Sequence, residues 1–285
     1  VTLSPRQISD LLTTHGLRPN RALGQNFVTD ANTVRRVARL AELGPGDRVL
    51  EIGPGLGSLT TALLETGAAV TAVELDQRLL PVLEAVVGPQ VRLLHGDAMT
   101  MDWAEVLGPD RGWIMVSNLP YNIATPLVAD LLDQVPVIDR MVIMVQREVG
   151  ERLVALPGQP QYGAVSVKVA YWAQASIVGY VPPTVFVPRP KVDSALVSIR
   201  RRPGPAVDPA TVDPDSLFRL VRAGFGKRRK MLRRALEGMV SPGAFEAAAV
   251  RPDSRAEDLD LDAWARLAAA ALAVPARADP GHAHE

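Results

Sequence analysis

The 285-residue sequence predicts an α/β chain: a mostly parallel, doubly wound sheet with helices on both faces, plus a small all-helical C-terminal domain. Three observations carry this. Short, nearly continuous apolar strands alternate with helical patterns over the first two-thirds, as in a sheet buried on both faces. A glycine-rich turn follows the first strand and opens a helix. After Arg202-Pro203-Gly204-Pro205 the pattern is helical only, because two prolines and a glycine stop both helix and ladder.

The strands are expected at residues 48–52, 69–73, 91–94, 113–116 and 141–145, with helices at 56–65, 77–87 and 123–132. Two later strands, 165–173 and 194–200, have no clear helix between them. They are joined by a proline-rich loop, 181–190, and read as an antiparallel edge hairpin. Helices follow at 215–224, 228–238, 243–250 and 261–274. The expected domains are therefore residues 1–203, including an N-terminal arm, and 204–275, with 276–285 as a disordered tail. No internal repeat is evident.

Composition narrows the function. Hydrophobic residues make up 47% of the chain, enough for a real core. No apolar run approaches the ~18 residues of a membrane span, and the first twenty residues do not resemble a signal peptide. Cysteine is absent, which removes disulfides, thiolate zinc sites and cysteine nucleophiles. Of four histidines, His282 and His284 lie in the polar tail, so a histidine metal cluster is not expected. The expectation is a cytoplasmic protein without metal or membrane, and a monomer. Net charge is zero, yet charge is segregated. Residues 219–234 hold eight basic and no acidic side chains; residues 246–262 hold six acidic ones against Arg251 and Arg255.

The run Glu51-Ile52-Gly53-Pro54-Gly55-Leu56-Gly57 would let backbone turn tightly and approach a ligand. Glu74 ends the next strand 21 positions after Gly53, where a ribose-hydroxyl acceptor belongs in such folds. The spacing is G-x-G-x-G, not the G-x-G-x-x-G of dinucleotide sites. Glu51 and Glu74 would repel a diphosphate but suit a cationic sulfonium. S-adenosylmethionine is therefore preferred to NAD, and an NAD-dependent dehydrogenase is the reading it displaces. Asp97, after the third strand, could accept from the exocyclic amine of the cofactor's adenine, or could be a simple turn aspartate.

Asn118-Leu119-Pro120-Tyr121 follows the fourth strand. An exocyclic amine on a nucleobase is a poor nucleophile because its lone pair is delocalised into the ring. The Asn118 side-chain oxygen and the Leu119 carbonyl could bind its two N–H groups and turn the lone pair toward a methyl-sulfonium. Pro120 fixes the direction of that carbonyl, and Tyr121 offers a stacking face worth roughly 1–3 kcal/mol. In isolation the tetrad could equally be an ordinary turn. Trp103, Trp113 and His95 read as core or turn residues.

Together, Leu23-Gly24-Gln25-Asn26-Phe27, the Glu51–Gly57 run, Asn118-Leu-Pro-Tyr-Asn-Ile-Ala-Thr-Pro126, Gln146-Arg-Glu-Val149 and Phe186-Val-Pro-Arg-Pro-Lys-Val-Asp-Ser194 resemble the ribosomal RNA adenine N6,N6-dimethyltransferases. The resemblance covers residues 23 to 272. It implies a Rossmann-like class I methyltransferase fold with a seven-stranded sheet, and methylation of two adjacent adenines near the 3′ end of small-subunit (16S) rRNA in an immature subunit. It further implies cofactor contacts from Asn26, Val28, Gly53, Gly55, Glu74, Asp97 and Asn118. Asn118, Leu119 and Tyr121 would hold the target adenine, with Phe186 stacking on its other face; without the resemblance Phe186 reads as a loop anchor in the core. Lys227, Arg228, Arg229, Lys230, Arg233 and Arg234 would meet RNA phosphates. On a helix Arg229 and Arg233 would fall on a different face from Leu232 and Leu236. Whether the acidic 246–262 stretch packs beside this segment or is solvated stays open. Two further alternatives are a large-subunit (23S) rRNA methyltransferase conferring macrolide resistance and a non-catalytic rRNA-binding assembly factor.

Overall fold

The computed structural model describes residues 3–274, so the expected disordered tail lies outside the described residues. The chain forms two compact units. Among the described residues, one comprises 3–151 with Ala173–Arg201, the other Arg152–Trp172 with 202–274.

The first unit is built on a seven-stranded sheet: β1 (Arg48–Ile52), β2 (Ala69–Glu74), β3 (Arg92–His95), β4 (Trp113–Asn118), β5 (Ile138–Gln146), β6 (Ala173–Val181) and β7 (Ser194–Arg201). Their spatial order is β3-β2-β1-β4-β5-β7-β6. The first five are parallel; β7 runs antiparallel to β5, and β6 antiparallel to β7. The side chains alternate across the sheet. Val49, Val70, Ile114 and Val142 pack with Val34, Val37, Leu59 and Leu63 from helices Ala31–Leu40 and Ser58–Leu64. Their neighbours Leu50, Met115 and Ile143 are also fully buried, and helix Ala124–Gln134 buries Leu127, Val128, Leu131 and Leu132.

The order reverses between β1 and β4, and that is where a crevice opens. Their ladder runs only from Arg48↔Trp113 to Leu50↔Met115. Beyond it the strands part, and the Ser117 hydroxyl accepts from the Ile52 N–H at 2.9 Å, satisfying an amide that the ladder no longer serves. Ligands of open α/β sheets bind at such switch points, outside the strands' carboxyl ends.

One expected element is of the other type. Residues 165–173 read as a strand because Val165, Val167 and Val169 alternate; the structure has helix Ala164–Trp172, and the edge strand β6 begins at Ala173. The four-residue spacing of Val167 and Tyr171 places both on one helical face, in the core of the second unit. This also corrects the expected contiguous domain 1–203, since Arg152–Trp172 belongs to the helical unit. That unit's core gathers Tyr162, Tyr171, Phe218, Phe245 and a fully buried Trp264. Asp213 and Asp260 cap its helices Pro214–Gly226 and Leu261–Ala273. No helix among the described residues is long and apolar enough to cross a membrane.

Candidate active site

A cavity of about 230 Å³ lies at the carboxyl ends of β1, β2 and β4, reached also by the segment after β3 and by residues 23–28. Its floor is the glycine turn. Gly53, Gly55 and Gly57 take φ values of 72°, 60° and 87°, in the left-handed region that favours glycine. A Cβ on Gly55 would sit 3.0 Å from the Phe27 ring, and one on Gly53 3.4 Å from the Pro120 ring. The turn is therefore packed directly against the N-terminal segment and the Asn118–Tyr121 turn.

Two buried carboxylates face this floor. Glu74 accepts from the Gly55 N–H at 3.0 Å and from the Asp76 N–H at 2.9 Å, one with each oxygen. Each oxygen keeps a lone pair for a ligand hydroxyl. Burial raises the Glu74 pKa against those hydrogen bonds. Burial pushes Glu51 up to about 8, with the neighbouring Glu74 charge adding to it. Glu51 Oε2, Ser58 Oγ and Asn118 Oδ1 are buried without a hydrogen-bond partner, and all three residues line the cavity. Unpaired buried polar atoms are costly, and three around one cavity mark it as built for a polar ligand. The Glu74 carboxylate, and a Glu51 carboxyl that can ionise when a positive charge binds beside it, suit a cation rather than an anion. Asp97 stands at the rim, its Oδ1 accepting from the Met99 N–H at 2.9 Å. Val28 and Asn26 line the opposite wall. His95 contacts the Leu75 carbonyl at 3.2 Å, and Trp113 donates to the Leu107 carbonyl, both turn or core roles.

At the cavity's edge the Asn118 Nδ2 donates to the Asn26 carbonyl at 3.0 Å. A carbonyl can only accept, so this bond orients the amide and leaves Oδ1 on the other side as the unpaired acceptor. Leu119 is buried, and its N–H is tied to the Met144 carbonyl at 3.0 Å. Gly24, with φ 67°, presses on this turn: a Cβ there would lie 3.1 Å from the Tyr121 nitrogen. Tyr121 is not part of the cavity lining. Its hydroxyl meets Ser194 Oγ at 3.0 Å, and burial raises its pKa, so the phenol stays protonated near neutrality.

Asn26, Val28, Gly53, Gly55, Glu74, Asp97 and Asn118 are thus brought together around one cavity, Leu119 and Tyr121 lie in the turn that follows Asn118, and two expectations are not met. Phe186 is only 2% exposed and packs among Val28, Val34, Val37 and Leu196, while its backbone pairs with Val28 in a two-residue ribbon. A ring held there offers no face to a base, so the loop-anchor role is the one observed, not stacking. Within the second unit the basic segment is mostly turn: helix is limited to Leu232–Ala235, so the expected 228–238 helix and its two faces do not form. Lys227, Arg229, Lys230, Arg233 and Arg234 are exposed. Arg228 is instead spent internally, on Glu257 at 2.6 Å and the Pro160 carbonyl at 2.6 Å. The acidic stretch packs beside the basic one, since Leu232 and Arg233 also donate backbone N–H groups to Ser254 and Pro252 carbonyls. Among the described residues no cluster of three or more His, Cys, Asp or Glu is placed to hold a metal. Ser194 and Glu51 were the contributions hardest to read from sequence. In the sequence Ser194 ends a motif with no role of its own, and Glu51 stands out only by its charge.

Comparison with known proteins agrees with this geometry. The family model for ribosomal RNA adenine dimethylase matches residues 16–271. The ribosomal RNA small subunit methyltransferase A of Kineococcus radiotolerans is 47% identical over 278 residues, 94% of this chain and 91% of the relative. That of Cutibacterium acnes is 46% identical over 293 residues, 98% and 97% of the two chains. Among solved structures, a dimethyladenosine transferase from Plasmodium falciparum superposes with TM-score 0.70 at 22% identity, over 85% of this chain and 95% of that one, a likeness of fold. The 23S rRNA methyltransferase ErmE gives TM-score 0.66 at 26% identity, over 85% and 98%. A match spanning most of the chain, joined to relatives of that identity, means that this chain belongs to the ribosomal RNA adenine dimethylase family.

Proposed function

We propose that this protein transfers methyl groups from S-adenosylmethionine to N6 of adenines in small-subunit ribosomal RNA; its 46–47% identical relatives are named as ribosomal RNA small subunit methyltransferases, and its family as a ribosomal RNA adenine dimethylase. The observation that carries the chemistry is Asn118 Oδ1: a buried, unpaired acceptor whose direction is fixed by the Asn26 carbonyl, at the edge of a cavity suited to a cation.

The residues fit the cofactor. Unpaired Glu51 and Ser58 atoms, the glycine cradle and the Glu74 carboxylate match an amino acid, a cationic centre and a ribose. When bound, S-adenosylmethionine supplies an electrophilic methyl on sulfonium. The chain supplies position. Asn118 Oδ1 and the Leu119 carbonyl accept the two N–H groups of the adenine amine, withdrawing its lone pair from the ring and directing it at the cavity. Such alignment can contribute up to roughly 7–11 kcal/mol in ideal cases. Tyr121 acts through its ring face; its protonated phenol is no base. None is required, because the alkylated nitrogen is acidic enough to release its proton to water. A dimethylated nitrogen has no N–H left for either acceptor, which ends the reaction. In the second unit, Lys227, Arg229, Lys230, Arg233 and Arg234 provide the phosphate-binding surface.

The test is incubation with immature small subunits and tritiated cofactor, followed by mass mapping of methylated nucleotides. Dimethylated adenines near the 3′ end of the RNA are expected. Label in naked 23S RNA, with none in small subunits, would move the assignment to large-subunit rRNA, the substrate in the name of ErmE.

A further inference from the structure

We propose that Ser194 is a positioning residue that fixes the Tyr121 ring for the incoming base. The proposal rests on the role of Tyr121 given above. Ser194 is the first residue of β7, wholly buried, and paired on both sides, with Gln146 of β5 and Val181 of β6. Tyr121, by contrast, belongs to the turn after β4, is only partly buried, and packs against the Gly24 loop. The 3.0 Å bond between the two hydroxyls ties the far end of the aromatic ring to a buried strand end that is paired on both sides. β4 and β7 are separated by β5, so the tyrosine reaches across about two strand spacings, roughly 10 Å, at the end of the sheet.

The tether has a mechanical meaning. A tyrosine anchored only at Cα can swing about two torsions, and a stacked base would swing with it. With its hydroxyl held as well, the ring keeps its plane, and the base amine is delivered to Asn118 Oδ1 and the Leu119 carbonyl in one orientation. Near-attack geometry of this kind is sensitive to shifts of about 1 Å. The bond also gives the phenol a partner other than the substrate, in keeping with a ring that works by its face. Ser194 is not part of the cofactor cavity lining, so its influence should be confined to the RNA side of the reaction.

The experiment is a double-mutant cycle on tritiated methyl transfer to immature small subunits, with cofactor affinity measured separately by calorimetry. Ser194→Ala should lower kcat about fivefold, the change expected for one hydrogen bond between neutral groups, with the Kd for S-adenosylmethionine unchanged. Tyr121→Phe keeps the ring and loses the same bond, and should show the same fall. The double variant should fall no further, because the two side chains act through one contact. Should Ser194→Ala not fold, Tyr121→Phe alone carries the test, through a lower kcat at unchanged cofactor affinity. Additive losses, a wild-type kcat in Tyr121→Phe, or a loss confined to cofactor affinity would overturn the proposal. Tyr121→Ala separates the two levels. If it is inactive while Ser194→Ala and Tyr121→Phe are normal, only the tether fails. If it is fully active, the role assigned to Tyr121 fails, and the tether with it.

Discussion

Replacing Glu51 with glutamine should make the ligand-free protein more stable and worse at binding its cofactor. The carboxyl is fully buried, and burial, helped by Glu74, raises its pKa from 4.5 to about 8. A carboxyl raised in the folded state contributes stability that is fully present below its unfolded pKa and is lost as pH rises through its folded pKa. At pH 7 the unfolded chain ionises Glu51 while the folded chain keeps it protonated. The gap is 7 − 4.5, or about 2.5 pH units, and at about 1.4 kcal/mol per unit it amounts to about 3 kcal/mol against folding. Above pH 8 the full difference of about 3.5 units applies, about 5 kcal/mol. Glutamine never ionises and removes that cost. Glu51→Gln should therefore melt close to wild type at pH 4, and higher by roughly 6–12 °C at pH 7, at about 2–4 °C per kcal/mol. The gap should widen further at pH 9. Thermal melts at those three pH values read this directly. Calorimetry supplies the second half: binding a cationic ligand beside Glu51 should expel close to one proton at pH 7 in the wild type and none in the variant, seen by comparing buffers of different ionisation enthalpy. A variant no more stable at pH 9 than at pH 4, relative to wild type, would falsify the reasoning, because Glu51 would then be ionised in the native fold.

The remaining predictions concern the turn, its support and the RNA surface. Asn118→Ala removes the oriented acceptor and should lower kcat by about 10²-fold, comparable to loss of one preorganised polar contact at a reacting group, as measured by methyl transfer. Gly24→Ala places a Cβ 3.1 Å from the Tyr121 nitrogen at φ 67°. It should cost about 1–2 kcal/mol in backbone strain and depress kcat/KM by shifting the turn; a normal rate in a folded variant would show that this contact is unimportant. Replacing Arg229 and Lys230 together by alanine should flatten the salt dependence of RNA binding by about two units of slope. Arg228→Ala should leave that slope unchanged and instead lower stability by about 1–2 kcal/mol, because its guanidinium is engaged by Glu257 and Pro160.

The parts of the molecule that were legible in advance are those whose information is local. A strand, a glycine turn and a helix follow one another in sequence, so β1, Gly53–Gly57 and Ser58–Leu64 could be placed by pattern, as could Glu74 and Asn118 at strand ends. What depends on distant partners could not. Alternating valines at 165, 167 and 169 fit a strand as well as a helix, and only the aromatic core of the second unit, with Phe218 and Trp264, selects the helix. Arg228 and Arg229 are indistinguishable in sequence until Glu257, 29 residues on, claims one of them. The direction of the Asn118 amide is set by a carbonyl 92 residues earlier. Phe186 could be read either as a stacking partner for the base or as an anchor, and its 2% exposure makes it an anchor.

The excursion of Arg152–Trp172 into the helical unit has a consequence for how the protein is made. Synthesis runs from the N-terminus, so Tyr162, Val167 and Tyr171 leave the ribosome before β6 and β7 exist, and well before Leu217, Phe218 and Trp264, with which they share a core. At about 5–20 residues per second, those apolar side chains wait several seconds for their partners while the rest of the chain is made. The helical unit cannot be obtained by cutting the gene once at residue 203, nor exchanged between relatives by a single crossover, because either operation would leave its first helix behind. Inheritance of the two units is coupled by the path of the chain.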